Sequence, residues 1–139
     1  MSFSALNPAP SRPAGLSLAL MLVTAAAGLA VRFASLGLPH FLVKYGGSTL
    51  WALMIYWIVS ALLPQSIPAA AVLAGSLATA VEFVKLLRSP ALDAFRLTLP
   101  GALLLGRFFS VWDIVAYCLA ICAGAFADRS LRAAARSRV

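Results

Sequence analysis

Acidic residues are scarce in this chain: four Asp and Glu stand against eleven Lys and Arg, and charged residues of both signs make up 11% of its 139 positions. A water-facing domain normally carries about twice that share of charge, so an ordinary soluble fold is excluded. Histidine occurs once and cysteine twice. Neither a disulfide framework nor a zinc site can be built from that material. Cys118 and Cys122 lie one helical turn apart inside an apolar run and read as small packing residues. His40 stands in a linker with no Cys, Asp or Glu beside it. There is also no Ser-His-Asp set, no HExxH and no phosphate-cradling glycine loop. No catalytic residue is therefore assigned, and no metal or cofactor is implied. Strands that alternate polar and apolar residues over about ten positions are lacking too, which argues against a membrane β-barrel.

What fills the chain instead is apolar sequence, 63% of all residues, with a mean hydropathy of +0.97. The apolar runs are continuous and rich in Ala and Leu, so they predict helices that cross a bilayer. Four are expected, over residues 15–31, 45–63, 69–87 and 108–126. The fold class is all-α: a polytopic bundle of four transmembrane helices occupying residues 14–128, preceded by a tail over 1–13 and followed by a basic tail over 129–139. The first run, between Arg12 and Arg32, also has the form of a cleavable leader; a retained span is favoured because the domain behind it is itself made of spans. Residues 34–44, broken by Gly37 and Pro39 and then amphipathic, are expected to lie on the membrane surface. The uncharged turn over 64–68 makes spans two and three antiparallel neighbours. Between spans three and four, Asp93, Arg96, Pro100 and Arg107 interrupt the apolar pattern. That stretch predicts an interfacial helix from Pro90 and a shallow or re-entrant piece over 99–106.

Helical spacing places several residues on shared faces. Thr24, Gly28 and Arg32 fall at i, i+4 steps, as do Ala70, Ala74, Ala78 and Glu82, and Ala116, Ala120 and Gly124. Such faces of small side chains let neighbouring helices approach closely, and the second leads down to a carboxylate. Asp113 and Tyr117 lie one turn apart, and Lys85 follows Glu82 at i+3. For Trp51, Tyr56 and Trp57 interfacial anchoring and protein packing are both open, and no role is assigned.

An even number of spans puts both termini on one side. Arg12 and the arginines at 129, 132, 136 and 138 argue that this side is the cytoplasm of a bacterial inner membrane. Arg32, Lys44, Lys85, Arg88, Arg96 and Arg107 then face the other way, against the positive-inside bias, with Glu82, Asp93 and Asp113 there to pair with several of them. The net charge of +7 is accounted for by these membrane-edge bases and anionic headgroups, and nucleic acid is not expected as a partner.

Arg32, KYGGSTLWA from Lys44, VEFVKLL from Val81, LDAFRLT from Leu92 and GALLLGRFFSVWDIVAYCLAICAG from Gly101 together resemble an uncharacterised bacterial integral-membrane family, named only as a domain of unknown function, number twenty-eight-oh-nine. The resemblance covers about residues 15–128. Glu82 followed by GRFFSVWDI also looks like the wider VanZ-like pattern, in which an acid on one helix precedes an Arg and an Asp at the start of the last. The resemblance implies shared positions at Arg32, Tyr45, Gly46, Trp51, Glu82, Asp93, Arg96, Thr98, Gly106, Phe109, Trp112, Asp113 and Tyr117. It also implies departures at Ser48, Lys85 and Leu87, where the pattern carries an acid, a glutamine and a tyrosine. It brings an association with the cell envelope and no established reaction.

The candidate polar cluster is Arg32, Glu82, Lys85, Asp93, Arg96, Arg107, Asp113 and Tyr117. On one reading these residues form a buried ion-pair network that scaffolds the bundle. On another, Arg32, Arg96 and Arg107 make a cationic pocket for an anionic lipid headgroup or envelope ligand, with Glu82 and Asp113 orienting the arginines or carrying protons. A third makes the chain an accessory subunit that packs on a larger membrane protein complex through its Ala and Gly faces. An enzyme acting on lipid or glycan headgroups, with two carboxylates as acid and base, is the remaining option. Open convergence around a cavity would favour a site; direct pairing would favour the scaffold.

Overall fold

The computed structural model describes residues 12–63 and 66–138. They form six helices: α1 (Ala14–Phe33), α2 (His40–Leu62), α3 (Ile67–Val84), α4 (Pro90–Leu97), α5 (Leu99–Leu104) and α6 (Val111–Arg136). The described residues contain no strand. Four helices, α1, α2, α3 and α6, are long and apolar enough to cross a membrane. At 1.5 Å per residue, the 18 residues of α3 reach about 27 Å and the 26 of α6 about 39 Å, against a hydrocarbon core of about 30 Å.

Local sequence sets the helix ends. Ser66, Ser89 and Thr98 each accept a hydrogen bond from the backbone N–H three residues on, and each is followed within two residues by a proline in the first turn. Both features favour a helix start, because the side chain satisfies an orphan donor and proline has no N–H to leave unpaired. Pro39 stands at the start of α2, and from His40 onward nothing breaks the helical pattern. Residues 40–44, expected on the membrane surface, are therefore the first turn of a continuous spanning helix, and only 34–39 are linker. Of the expected N-terminal tail, residues 1–11 lie outside the described residues, as do 64 and 65 of the expected turn.

α2 is the middle of the bundle, packed against α1, α3 and α6, while α6 also packs on α3. The expected small-residue faces sit at these contacts. Ala70, Ala74 and Ala78 are wholly buried. A Cβ on Gly28 would stand 3.6 Å from that of Leu50, and one on Gly124 would crowd Leu53 and Tyr56. Large apolar side chains point outward, among them Leu62, Phe108 and Phe126, each about three-quarters exposed. In water such a surface would aggregate; against acyl chains it costs nothing.

α4 and α5 form the break between spans three and four, as the scattered charges predict, and come close chiefly to one another. Gly101 makes that approach possible, since any Cβ there would collide with the Phe95 carbonyl. The last span begins at Val111 and runs on to Arg136, so residues 129–136 of the expected basic tail continue the helix. Cys118 and Cys122, expected to pack inside, are both exposed on its outer face.

Candidate functional site

Glu82 ends the alanine stripe of α3 and is wholly buried at the N-terminal end of α6. Its Oε1 accepts the Ser110 backbone N–H at 2.7 Å. Its Oε2 accepts the Tyr117 hydroxyl at 2.8 Å and the Lys85 ammonium at 2.5 Å. Ser110 is the residue before α6 and makes no side-chain cap of its own. The free N–H of a helix start is usually met by an acid within the same helix; here an acid from α3 meets it. Asp113, in the first turn of α6, is thereby left to face α2 and α3. Its Oδ1 accepts the Ser48 hydroxyl at 3.2 Å, and its Oδ2 lies 3.8 Å from Lys85 Nζ. Two carboxylates thus share one ammonium at a helix N-terminus, where the helix dipole adds favourable positive potential.

Lys85 reaches both acids because the chain turns away beneath it. Gly106 adopts a φ of +66°, a left-handed conformation that side chains with a Cβ resist, and a Cβ there would sit 3.1 Å from Lys85 Cε. Above the cluster the Tyr117 ring packs on Trp51, with centroids 5.5 Å apart. Glu82, Lys85, Asp113 and Tyr117 are all buried.

The other expected members lie apart from this cluster. Arg96 is buried and donates to Asp93 Oδ1 at 2.9 Å, to the Leu87 carbonyl at 2.9 Å and to the Val84 carbonyl at 2.6 Å. It closes the carbonyl end of α3 and ties α4 to it. Arg88 approaches the same Asp93 at 3.8 Å from an exposed position. Arg32 and Arg107 are exposed, and among the described residues neither has a hydrogen-bonding or ionic partner. Of the three arginines expected to form a cationic pocket, Arg96 is engaged by Asp93 and two backbone carbonyls of the α3 end, while Arg32 sits on α1, which packs on α2.

A second cluster, at the opposite end of the bundle, was not expected. Asp128 is wholly buried. It accepts Tyr56 OH at 2.8 Å and Arg132 Nε at 2.8 Å, and Arg12 Nη1 stands 3.3 Å away. Arg12 also donates to Ser60 Oγ and lies over the Trp57 ring, 4.8 Å from its centroid. Burial pulls the Arg12 pKa below its ordinary value and Asp128 pulls it back up. The pattern was in the sequence: Asp113, Tyr117, Ala120, Gly124, Asp128 and Arg132, at steps of three and four, are the buried stripe of α6. Reading the span as ending where charges begin hid its last two members.

Among the described residues no three His, Cys, Asp or Glu come together as metal ligands do. No curated protein and no solved structure matches the chain. The sequence profile of the family described as Protein of unknown function (DUF2809) matches residues 37–121. That stretch runs from the linker before α2 into the middle of α6, and so contains every residue of the Glu82 cluster and leaves Asp128 outside. Because the match takes in well over half of the chain and the structural cluster with it, the protein belongs to this family of unknown function.

Proposed function

We propose that the protein is a non-catalytic membrane component: its two buried clusters fasten the bundle, and its exposed bases meet an anionic headgroup at the end of the bundle where Glu82 lies. The observation that carries this reading is how the charges divide. Glu82 and Asp113 are buried and already engaged by Lys85, Tyr117, Ser48 and the Ser110 N–H, which suits a structural role better than acid-base work on a substrate. Arg32, Lys44 and Arg107 are exposed at the same end. That end carries Arg32, Lys44, Lys85, Arg88, Arg96 and Arg107 against Glu82, Asp93 and Asp113, an excess of positive charge. We read both termini as cytoplasmic from Arg12 and the four arginines of the α6 end, Arg129, Arg132, Arg136 and Arg138, which puts the Glu82 end on the non-cytoplasmic side with its six bases against the positive-inside bias.

Native mass spectrometry from mild detergent tests the reading, with wild type and an Arg32→Ala/Arg107→Ala variant in mixtures of phosphatidylglycerol and phosphatidylcholine. Wild type is expected to retain the anionic lipid preferentially, and each lost base to weaken that preference about fivefold, the worth of one base near a charged surface. Equal retention of both lipids by both proteins refutes it. Co-purification of a larger protein in stoichiometric amount would instead support the accessory-subunit role.

A further inference from the structure

We infer that the seam between α2 and α6 holds one acyl chain of an anionic phospholipid, with its phosphate at Lys44. This rests on the headgroup reading above and adds where the lipid sits. An open groove of about 280 Å³ runs along this seam, lined by Tyr45 from α2 and by Trp112, Val115, Ala116 and Leu119 from α6. The volume is at the small end for a ligand pocket and suits a chain segment better than a compact molecule. The lining from Trp112 to Leu119 follows the helix for about 10 Å, parallel to the direction in which acyl chains lie. Its walls are apolar except for Tyr45 and Trp112, the two residue types that settle at the headgroup level of a bilayer.

Charge complementarity selects the headgroup. Lys44 Nζ lies 5.1 Å from the centroid of the Tyr45 ring, at the headgroup end of the groove. Its side chain is exposed, and no carboxylate among the described residues pairs with it. The nearest acid along the seam is Asp113, which is buried and turned inward to Ser48 and Lys85. The Ser48 to Asp113 hydrogen bond joins α2 to α6, and neither residue lines the groove. A phosphate at this mouth meets Lys44 first, and the wider positive charge of this bundle end acts in the same sense.

The test uses the full chain in nanodiscs of phosphatidylcholine containing a minor fraction of phosphatidylglycerol brominated on its acyl chains, which quenches nearby tryptophan. Quenching of wild type is expected to exceed that given by the same fraction of brominated phosphatidylcholine. Trp112→Phe should remove the excess, and Lys44→Gln should reduce it severalfold. Ala116→Leu fills the groove without touching a base, and should abolish the excess while leaving the mass-spectrometric preference of the exposed arginines. An excess that survives Ala116→Leu overturns the groove and leaves the headgroup reading standing. Equal quenching by both brominated lipids in wild type overturns the groove directly, whether or not the Ala116 variant folds. Loss of anionic preference in the mass spectra of wild type would overturn the headgroup reading itself.

Discussion

Replacing Glu82 by Gln keeps the side chain's shape and removes its charge. The amide oxygen can still accept the Ser110 N–H, now held at 2.7 Å. The amide nitrogen would then face the Tyr117 hydroxyl and the Lys85 ammonium, both of which donate to Oε2 in the native protein. Tyr117 can rotate its proton and accept; Lys85 has no acceptor form while charged. Lys85 is left with Asp113 alone, at 3.8 Å, in a site 8% exposed. Breaking one partner out of a buried ion pair costs about 3 to 5 kcal/mol, and the surviving Asp113 places this case near 3 kcal/mol. For a chain of this length that is on the order of 10 °C in thermal midpoint. Lys85→Met should cost a similar amount, since it leaves two buried carboxylates facing one another. The double variant removes donor and acceptor together and should be less destabilised than the two single losses combined, by about 1 kcal/mol or more. The assay is thermal unfolding of all four proteins in one detergent, supported by unfolding equilibria in mixed micelles. Losses that add within about 0.5 kcal/mol, or a Glu82→Gln midpoint equal to wild type, would refute the description of Glu82 and Lys85 as a coupled pair.

Arg96→Ala should expose the carbonyls of Val84 and Leu87 and release α4. Hydrogen exchange is expected to rise over residues 85–104 and to stay unchanged in α1 and α2, and Arg96→Lys should not restore protection, because an ammonium lacks the planar fork that spans two carbonyls and a carboxylate. Asp128→Asn strips the countercharge from two buried arginines, Arg12 and Arg132. About 3 kcal/mol of stability should be lost by the same argument as for Glu82, with faster hydrogen exchange at the start of α1 and the end of α6 as the local readout.

Much of the fold could be read from periodicity, because a helix facing lipid announces itself by composition and its packed face by small residues. Ala70, Ala74, Ala78 and Glu82 form one buried stripe, as their spacing requires. What periodicity cannot supply is the rotation of one helix about another. Arg32 and Arg107 flank the right spans, yet α1 packs on α2 alone and leaves Arg32 outside. Arg96 was recognisable as a residue needing partners, but two of its partners are backbone carbonyls, which carry no sequence signature. Asp128 was missed for a different reason. Hydropathy ends a span at the first cluster of charges, whereas the three-and-four stripe that buries Asp113 and Tyr117 continues without interruption through Asp128 and Arg132.

The two clusters also answer a problem that the apolar bundle poses. Lipid chains are as apolar as leucine, so burying leucine between helices in a bilayer gains little, and faces of alanine and glycine supply close packing without a fixed register. Asp113 and Asp128 lie on one stripe of α6, roughly 22 Å apart along the axis at 1.5 Å per residue. The first meets Ser48 of α2 and Lys85 beyond α3; the second meets Tyr56 of α2 and Arg12 before α1. Sliding α6 by one turn, about 5.4 Å, would keep small residues against small residues and pull both acids from their partners at once. Each broken contact would leave a charge in low dielectric, where it is most costly. The clusters therefore discriminate against slipped packings that the alanine faces tolerate, and this gives charged residues inside the bundle a reason to be there without any chemistry being done on them.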